Sequence, residues 1–248
     1  MSTQTASNRS TSRTPVMSIA ARRSIAVVAG LLGLVSIYGG SQLLVSGIAH
    51  YQASAFIEDW EKKGSAPTEQ AWQVANDAIQ HAISSYPAAN GEYLETLGYI
   101  QQWQAFGTPL DSAEAKPSRE AAAQALRQAT QARPTWPDAW AALAYAKLHL
   151  LSFDDEFTHA IQQAQHFGPW RIGINRRIAE IGLIAFPVLN NEQRAIVSES
   201  IQRTAQYSDK ERKQLFELAA QTNSLTTLCN ALDDAPEAPC TPVKAGAL

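Results

Sequence analysis

The sequence lacks the short motifs that mark the most common catalytic and nucleotide-binding sites. Its 248 residues contain no G-x-S-x-G nucleophile elbow, no P-loop and no G-x-G-x-x-G dinucleotide loop. Glycine is sparse, at 13 residues, and runs of β-branched residues are scarce after residue 50, whereas alanine and glutamine are abundant. The missing motifs exclude the enzyme classes that depend on them, and the composition predicts a mostly helical chain.

Cysteine is also rare. The two cysteines, Cys229 and Cys240, have ten residues between them, a spacing that excludes the familiar metal-binding patterns. In an oxidising compartment these thiols are expected to form a disulfide that ties the C-terminal tail to the last helix. The alternative is two free thiols, one buried in a helix and one in a disordered tail.

Clusters of basic residues are missing from the body of the chain. The formal net charge is −3, but Arg9, Arg13, Arg22 and Arg23 all precede the first acidic residue, Glu58, so the remainder carries −7. Binding to nucleic-acid phosphates requires clustered lysine and arginine. The acidic body therefore argues against nucleic acid as a partner.

The chain does have one long apolar run near its N-terminus. Ser24–Ala49 comprises 26 residues without a charge. As a helix this run would be about 39 Å long, enough to cross a hydrocarbon core of about 30 Å. The four arginines precede it, which predicts a cytoplasmic N-terminus by the positive-inside rule. The body would then lie in the periplasm of a bacterium, anchored by a single pass in the inner membrane.

This interpretation divides the chain into five segments: a disordered basic cytoplasmic tail at 1–23, a transmembrane helix at 24–49, a tether at 50–66, a helical-repeat domain at 67–232 and a proline-rich tail at 233–248. One alternative is a signal peptide that is cleaved after the small residues around Gly47–Ala49. A transit peptide is a more remote alternative, because the N-terminus is rich in arginine and serine and free of acids.

The body carries an internal repeat. Three stretches place apolar or small residues 12, 8 and 5 positions before a proline, a helical spacing that predicts three helices with one buried face each. Two of these prolines are 35 residues apart, close to the length of a tetratricopeptide repeat, about 34 residues. The residues concerned are Ala75, Ile79, Ala82 and Pro87; Ala122, Leu126, Ala129 and Pro134; and Phe157, Ile161, Ala164 and Pro169.

The fold predicted from these features is all-α: an N-terminal transmembrane helix followed by a degenerate tetratricopeptide-like helical-repeat (α-solenoid) domain. No single helix pair in such a domain can bury its own apolar face, so stacking of the pairs supplies the core. Gly107–Ser118 is predicted to be an inserted loop, and Ser208–Glu211 is predicted to be a capping box that starts a later helix.

The stretch Arg133–Trp140 resembles a joint between two helix pairs. Pro134 would end one unit, and Pro137 would occupy the first turn of the next helix, where a missing N–H costs nothing. Trp140 opens the W-x-x-L-small pattern of a repeat and is expected to insert between helix pairs. The residues predicted to support the joints between repeats are Pro87, Pro134, Trp136, Pro137, Trp140, Pro169 and Trp170.

Over 120–185 the chain resembles the VpsP family of polysaccharide biosynthesis proteins. The residues that carry the resemblance are Arg133, Pro134, Trp136, Pro137, Trp140, Leu143, Phe157, Ala160, Ala164, Gly168, Pro169 and Trp170. Members of that family have one N-terminal membrane segment and a helical-repeat body, and their genes lie in clusters for exported polysaccharide. The resemblance therefore implies a process, exopolysaccharide assembly, without an assigned reaction.

In such a repeat domain the first helix of each pair lines a concave surface. Exposed positions on these helices predict a groove for a peptide or a polar sugar chain, formed by Glu92, Glu95, Tyr99, Asp138, Tyr145, His149, Arg176 and Glu180. The alternative is an ordinary hydrated face. His159 and His166 share a helix face but lie roughly 10 Å apart, which disfavours a metal site. We therefore predict no catalytic residue, no metal and no cofactor.

The resulting hypothesis is a non-catalytic, membrane-anchored periplasmic adaptor or scaffold for the biosynthesis or export of exopolysaccharide. Its expected partners are protein components of that machinery, the inner membrane and, as a further candidate, the nascent polysaccharide. One alternative is a periplasmic chaperone or cell-envelope scaffold unrelated to polysaccharide. A more remote alternative is a divergent sugar-active enzyme.

Overall fold

The computed structural model describes residues 18–232 and Cys240. Within these residues the chain forms ten α-helices and no strand, so the prediction of an all-α protein is confirmed. The predicted tail at 233–248, apart from Cys240, and residues 1–17 lie outside the described residues. The helices are α1 (Ile19–Lys63), α2 (Glu69–Ser85), α3 (Gly91–Gln104), α4 (Lys116–Ala132), α5 (Pro137–His149), α6 (Asp155–Phe167), α7 (Ile172–Ala185), α8 (Asn191–Tyr207), α9 (Asp209–Gln221) and α10 (Leu225–Ala231), with a 3₁₀ turn at Phe186–Val188.

The first helix, α1, is a continuous helix of 45 residues, which differs from the predicted tether at 50–66. Residues 50–63 contain neither proline nor glycine, so nothing interrupts the helix where the apolar run stops. Ala53 and Trp60 are buried against α2 and α3, and the helix ends only at Gly64, whose φ of 60° is accessible to glycine. The C-terminal part of α1 therefore belongs to the folded body.

The N-terminal part of α1 is long enough and apolar enough to cross a membrane. Its most apolar 18-residue window has a mean hydropathy of 1.7, and none of that window is buried in the body. Burial begins at Ser46 and Ala49. Among the described residues, α1 is the one helix with these properties.

Successive helices pack as antiparallel pairs: α1 with α2, α3 with α4, α5 with α6, α7 with α8 and α9 with α10. The odd-numbered helices also contact one another in order from α1 to α9. Helices α1 and α3 run parallel, because His50 on α1 contacts Thr96 on α3, while Trp60 contacts Trp103 farther along both helices. Helices α5 and α7 also run parallel, because Asp138 pairs with Arg171 near their starts and Tyr145 binds Glu180 farther along. The odd-numbered helices form one layer, and the even-numbered helices pack against it.

The proline-spaced pattern identifies the buried faces of α2, α4 and α6. Each of these helices ends two residues before its proline, and all nine apolar or small residues of the pattern have zero exposure. Glycines on the partner helices allow close approach, since Gly98 of α3 faces Leu126 of α4, and Gly182 of α7 faces Val197 of α8. In these two pairs a large residue on one helix therefore faces a glycine on the other.

At the joint between α4 and α5, Pro137 is the buried first residue of α5, as the sequence predicts. Trp140 differs from its prediction. Its indole N–H donates to the carbonyl oxygen of Pro134 at 2.7 Å, and its half-buried ring packs edge-to-face on His159 of α6. The ring therefore packs within one helix pair. Most of the fully buried positions of α5 are instead occupied by alanines.

Trp170 also differs from its predicted role in a joint, because its side chain is 79% exposed. It lies in the turn between α6 and α7, where Gly168 packs against Pro137 and Ile174 in its place. The guanidinium of Arg203 lies 4.4 Å from the centroid of the Trp170 ring. The tryptophan is therefore a surface residue with a cation stacked on one face.

Two further contacts join segments outside the helices to a helix. The predicted loop at 107–118 surrounds the buried guanidinium of Arg119, which donates to the carbonyl oxygens of Thr108, Pro109 and Leu110. The last three residues of that loop, from Lys116, are already helical. At the other end of the body, Cys229 of α10 is joined to Cys240 by a disulfide.

Candidate functional site

A cleft opens in the layer of odd-numbered helices, between α3, α5 and α7. It has a volume of about 200 Å³ and brings together four of the eight residues predicted for the groove. Tyr99 comes from α3, Asp138 from α5, and Arg176 and Glu180 from α7. The remaining lining residues are Ala141, Ala142, Gly173, Ile174 and Arg177.

Tyrosines from neighbouring helices hold two carboxylates of this face. The hydroxyl of Tyr145 on α5 donates to Glu180 Oε1 on α7 at 2.9 Å. The hydroxyl of Tyr99 donates to Glu95 Oε1, one turn earlier on α3, at 3.1 Å. Burial raises the pKa of both tyrosine hydroxyls above the usual range, so each remains a hydrogen-bond donor at neutral pH.

Two arginines near the cleft are paired with carboxylates. Arg171 Nη1 lies 2.6 Å from Asp138 Oδ2. Arg176 donates from Nε and Nη2 to the two oxygens of Glu211 on α9, at 2.7 and 2.5 Å. Ser208 caps α9 as predicted, but this ion pair takes the carboxylate of Glu211, so no capping box forms there. A capping box is found instead at the start of α8.

Arg177 differs from these two arginines. Its guanidinium lies 4.5 Å from the centroid of the Tyr145 ring, and no carboxylate of the described residues lies within ion-pairing distance of it. Within the same residues it also donates no hydrogen bond. The cleft therefore presents one cation that is free to receive an anionic group, beside Glu180, whose carboxylate receives a single tyrosine hydroxyl.

A second cleft continues this surface toward α9. It shares Arg176 and Glu180 with the first, and its other lining residues include Glu211, Gln214 and Leu215, around a volume of about 290 Å³. The two clefts together form a groove across α3, α5, α7 and α9. Sequence reasoning did not name Arg177, Gly173 or Glu211 as part of it.

The other predicted groove residues lie around the first cleft or away from it. Tyr145 and Glu95 do not line the cleft, but each forms a hydrogen bond with a residue that does: Tyr145 with Glu180, and Glu95 with Tyr99. Glu92 is exposed, and its carboxylate lies 4.0 Å from the guanidinium of Arg133. His149 lies at a different cleft of about 390 Å³, with Arg119 and the 110–113 loop. His159 and His166 pack against Trp140 and Phe167.

Burial perturbs two titratable groups of this layer in opposite directions. Desolvation of Glu95, with a smaller contribution from the charge of Asp138, raises its pKa from 4.5 to about 7, although the Tyr99 hydroxyl opposes the shift. Desolvation of His149, together with the charges of Arg119 and Arg177, lowers its pKa from 6.5 to about 4. Both groups are therefore largely neutral between about pH 4 and pH 7, where an unperturbed glutamate would be an anion and an unperturbed histidine partly a cation.

These two shifts predict opposite contributions to the dependence of stability on pH. Native Glu95 keeps a proton that the unfolded chain has lost, so its contribution to stability decreases from about pH 4.5 to about pH 7. Native His149 lacks a proton that the unfolded chain binds, so its contribution increases from about pH 4 to about pH 6.5. In the native chain the two contributions largely cancel.

We expect single substitutions to separate the contributions of Glu95 and His149 to the dependence of stability on pH. Relative to the native chain, Glu95→Gln should gain about 2–3 kcal/mol in free energy of unfolding between pH 5 and pH 8. His149→Gln should gain a similar amount between pH 7 and pH 4, because in this range His149 binds a proton only in the unfolded chain, and the substitution removes that stabilisation of the unfolded state. Urea unfolding at each pH measures both, with the exposed Glu61→Gln on α1 as control. If the free energy of unfolding of both variants changes with pH in the same way as that of the native chain, the pKa shifts of Glu95 and His149 are wrong.

Among the described residues, no group of three histidine, cysteine, aspartate or glutamate side chains is arranged to hold a metal ion. Compared with known proteins, the sequence matches no family model and no curated protein. The groove and the apolar helix α1 are the structural features on which a function can be proposed.

Proposed function

We propose that the protein is a membrane-anchored adaptor without a reaction of its own, whose groove binds a protein partner in the assembly or export of exopolysaccharide. In this proposal the N-terminal part of α1 crosses the inner membrane of a bacterium, and the body lies in the periplasm. Large apolar side chains of α1, such as Leu32, Val35 and Ile37, are exposed all around the helix, which favours a lipid environment. The arginines before α1 favour a cytoplasmic N-terminus, and the disulfide at Cys229 favours an oxidising compartment.

The body is proposed to be a degenerate tetratricopeptide-like solenoid. Support comes from contacts that recur at one spacing along the chain. Tyr145 binds Glu180, Arg176 binds Glu211, and Gln193 binds Thr158, and in each case the two residues are 35 positions apart. A repeat of that length places equivalent residues on equivalent faces, so the groove arises from stacking the first helices of successive units.

The single observation that carries the binding function is the free guanidinium of Arg177 in the cleft. An arginine favours a carboxylate, which it can bind through two parallel hydrogen bonds. Glu180 lies in the same cleft and can accept N–H groups. A peptide segment with one carboxylate offers both an anion and N–H donors. These two features match Arg177 and Glu180 in the same cleft, so we propose a peptide partner.

The process is proposed from the resemblance to the VpsP family alone. A partner that is a subunit of a polysaccharide synthesis or export system would support it. Binding of many unrelated envelope proteins would favour the chaperone alternative, and turnover of a glycan by the purified protein would favour the enzyme alternative.

A photo-crosslinking residue at position 173 tests the groove in native membranes. A Cβ at Gly173 meets no atom within 4 Å, so the probe fits without displacing the helix. We expect one predominant crosslinked partner, and roughly tenfold less of it after Arg177→Gln, because a charge-assisted contact is lost. Lys213→Gln is the matched control, since Lys213 is an exposed cation of α9 whose side chain is 79% exposed. Equal crosslinking in the two variants would refute the role of Arg177.

A further inference from the structure

One edge of the body lies level with the end of the apolar part of α1. Because α1 and α3 run parallel and His50 contacts Thr96 and Tyr93 near the start of α3, the start of α3 lies beside the last apolar turns of α1. Asp138 at the start of α5 pairs with Arg171 just before α7, so these helices start at the same edge. We call it the proximal edge, formed by the starts of the odd-numbered helices and the ends of the even-numbered ones.

Each of the four connections at the proximal edge carries an aromatic residue with a polar group. Tyr86 follows α2, Trp136 precedes α5, Trp170 precedes α7, and Tyr207 is the last residue of α8. Trp170 is 79% exposed and Tyr207 is 63% exposed. Packing of the body therefore does not explain these two rings.

Arginines accompany these rings. The guanidiniums of Arg133 and Arg171 lie 4.1 and 4.9 Å from the centroid of the Trp136 ring. Arg203 stacks on Trp170 at 4.4 Å. Its Nη1 donates to the carbonyl oxygen of Pro169 at 2.7 Å and its Nη2 donates to Glu199 Oε1 at 2.5 Å, which fixes its position and leaves its remaining N–H groups for a further acceptor. The edge therefore presents indole and phenol rings together with guanidinium donors.

The opposite edge, which we call the distal edge, also exposes large side chains, but these are purely apolar. Its connections expose Phe106, Leu151 and Val188, none of which has a polar group on its side chain. Tryptophan and tyrosine favour the layer between water and hydrocarbon, because one end of the ring system is apolar and the other forms hydrogen bonds. Guanidiniums donate well to phosphates. The position beside α1 and this composition both match the headgroup layer of a bilayer.

We infer that the proximal edge docks on the surface of the phospholipid membrane that α1 crosses, with Trp170 and Tyr207 in the headgroup layer and Arg203 near the lipid phosphates. The inference rests on the proposed membrane anchoring by α1. The odd-numbered helices then stand on the membrane, and the distal edge lies roughly 20 Å farther from it, the length of a 13-residue helix such as α5.

The full-length protein in vesicles of phosphatidylethanolamine and phosphatidylglycerol tests this docking. Single cysteines replace Trp170, Tyr207, Leu151 or Val188, and each is labelled with a fluorophore under non-reducing conditions that preserve the native disulfide. The four native residues are exposed, with 79%, 63%, 49% and 59% of the residue surface accessible, so the substitutions leave the core intact. A lipid with a spin label on its headgroup is the quencher.

We expect headgroup quenching to be roughly threefold stronger at positions 170 and 207 than at positions 151 and 188, because collisional quenching requires contact with the headgroup layer. Leu31→Cys, labelled in the same way and quenched by a lipid with a spin-labelled acyl chain, reports on the anchor. Quenching at position 31 together with equal quenching at both edges would overturn the docking and leave the anchor standing. No quenching at position 31 would overturn the anchor, and the docking with it.

Discussion

Replacing Gly182 by alanine is expected to lower the free energy of unfolding by about 2–4 kcal/mol, even though alanine is the better helix former by about 1 kcal/mol. A Cβ at this position would lie 2.0 Å from Val197 Cγ1 and 3.0 Å from Val197 Cβ. Val197 has zero exposure, and a β-branched side chain cannot rotate away as a longer one could. Helices α7 and α8 would therefore have to separate, and urea unfolding of the native and variant chains measures the cost.

A double-mutant cycle identifies the cause. Val197→Ala removes Cγ1 and Cγ2, the two atoms closest to the new methyl group, at 2.0 and 2.9 Å. We therefore expect Gly182→Ala to cost far less in that background than in the native one, a coupling of about 2 kcal/mol. Gly173→Ala is the matched control on the same helix, because its Cβ meets no atom within 4 Å, and it should be neutral or stabilising by up to about 1 kcal/mol. A Gly182→Ala chain as stable as Gly173→Ala would show that α7 and α8 do not approach so closely.

The buried faces of α2, α4 and α6 could be predicted from sequence because each is a local pattern. A period of 3.6 residues can be recognised within a single helix, and a proline after the helix marks where the helix ends. All nine predicted positions of these three helices have zero exposure. The pattern does not require knowledge of which helix packs on which.

The end of α1 and the position of Trp140 could not be predicted in this way. Hydropathy indicates whether a segment favours water or apolar surroundings, but it does not indicate where a helix ends. It falls after Ala49, although the helix continues to Lys63. Residues 50–63 continue the helix without a break in the backbone, and Ala53 and Trp60 among them pack against the body. The repeat motif predicts Trp140 between helix pairs, but its ring packs on His159 of α6 within one pair, a contact that the motif does not encode.

The groove was partly predictable. Exposed positions on the first helices gave Tyr99, Asp138, Arg176 and Glu180, which line the cleft. Glu211 was missed because its role depends on a contact between helices, and the signal that could have found it is its position 35 residues after Arg176. Arg177 was missed because its importance comes from lacking an ionic partner among the described residues, which no local pattern records.

A buried lysine links the end of α5 to the start of α6. The side chain of Lys147 is 6% exposed, and its Nζ lies 2.7 Å from Asp154 Oδ2 and 2.7 Å from Glu156 Oε2. Glu156 also receives two hydrogen bonds from Arg127, at 2.5 and 2.8 Å. These hydrogen bonds, and then those of Lys147, lower the pKa of Glu156 to about 2. Asp154 caps α6 by accepting from the backbone N–H of Phe157.

Replacing both carboxylates, as Asp154→Asn with Glu156→Gln, is expected to lower the free energy of unfolding by about 3–5 kcal/mol, because it leaves the charge of Lys147 buried without a partner. Asparagine is as good a helix cap as aspartate, so the loss should come from the lysine. Adding Lys147→Met removes that charge and should restore most of the stability, whereas Lys147→Met alone should cost less than about 2 kcal/mol, since Asp154 is hydrated and Glu156 keeps Arg127. Urea unfolding at pH 7 measures the four chains. If Lys147→Met fails to rescue the doubly substituted chain, the loss comes from the carboxylates and not from the unpaired lysine.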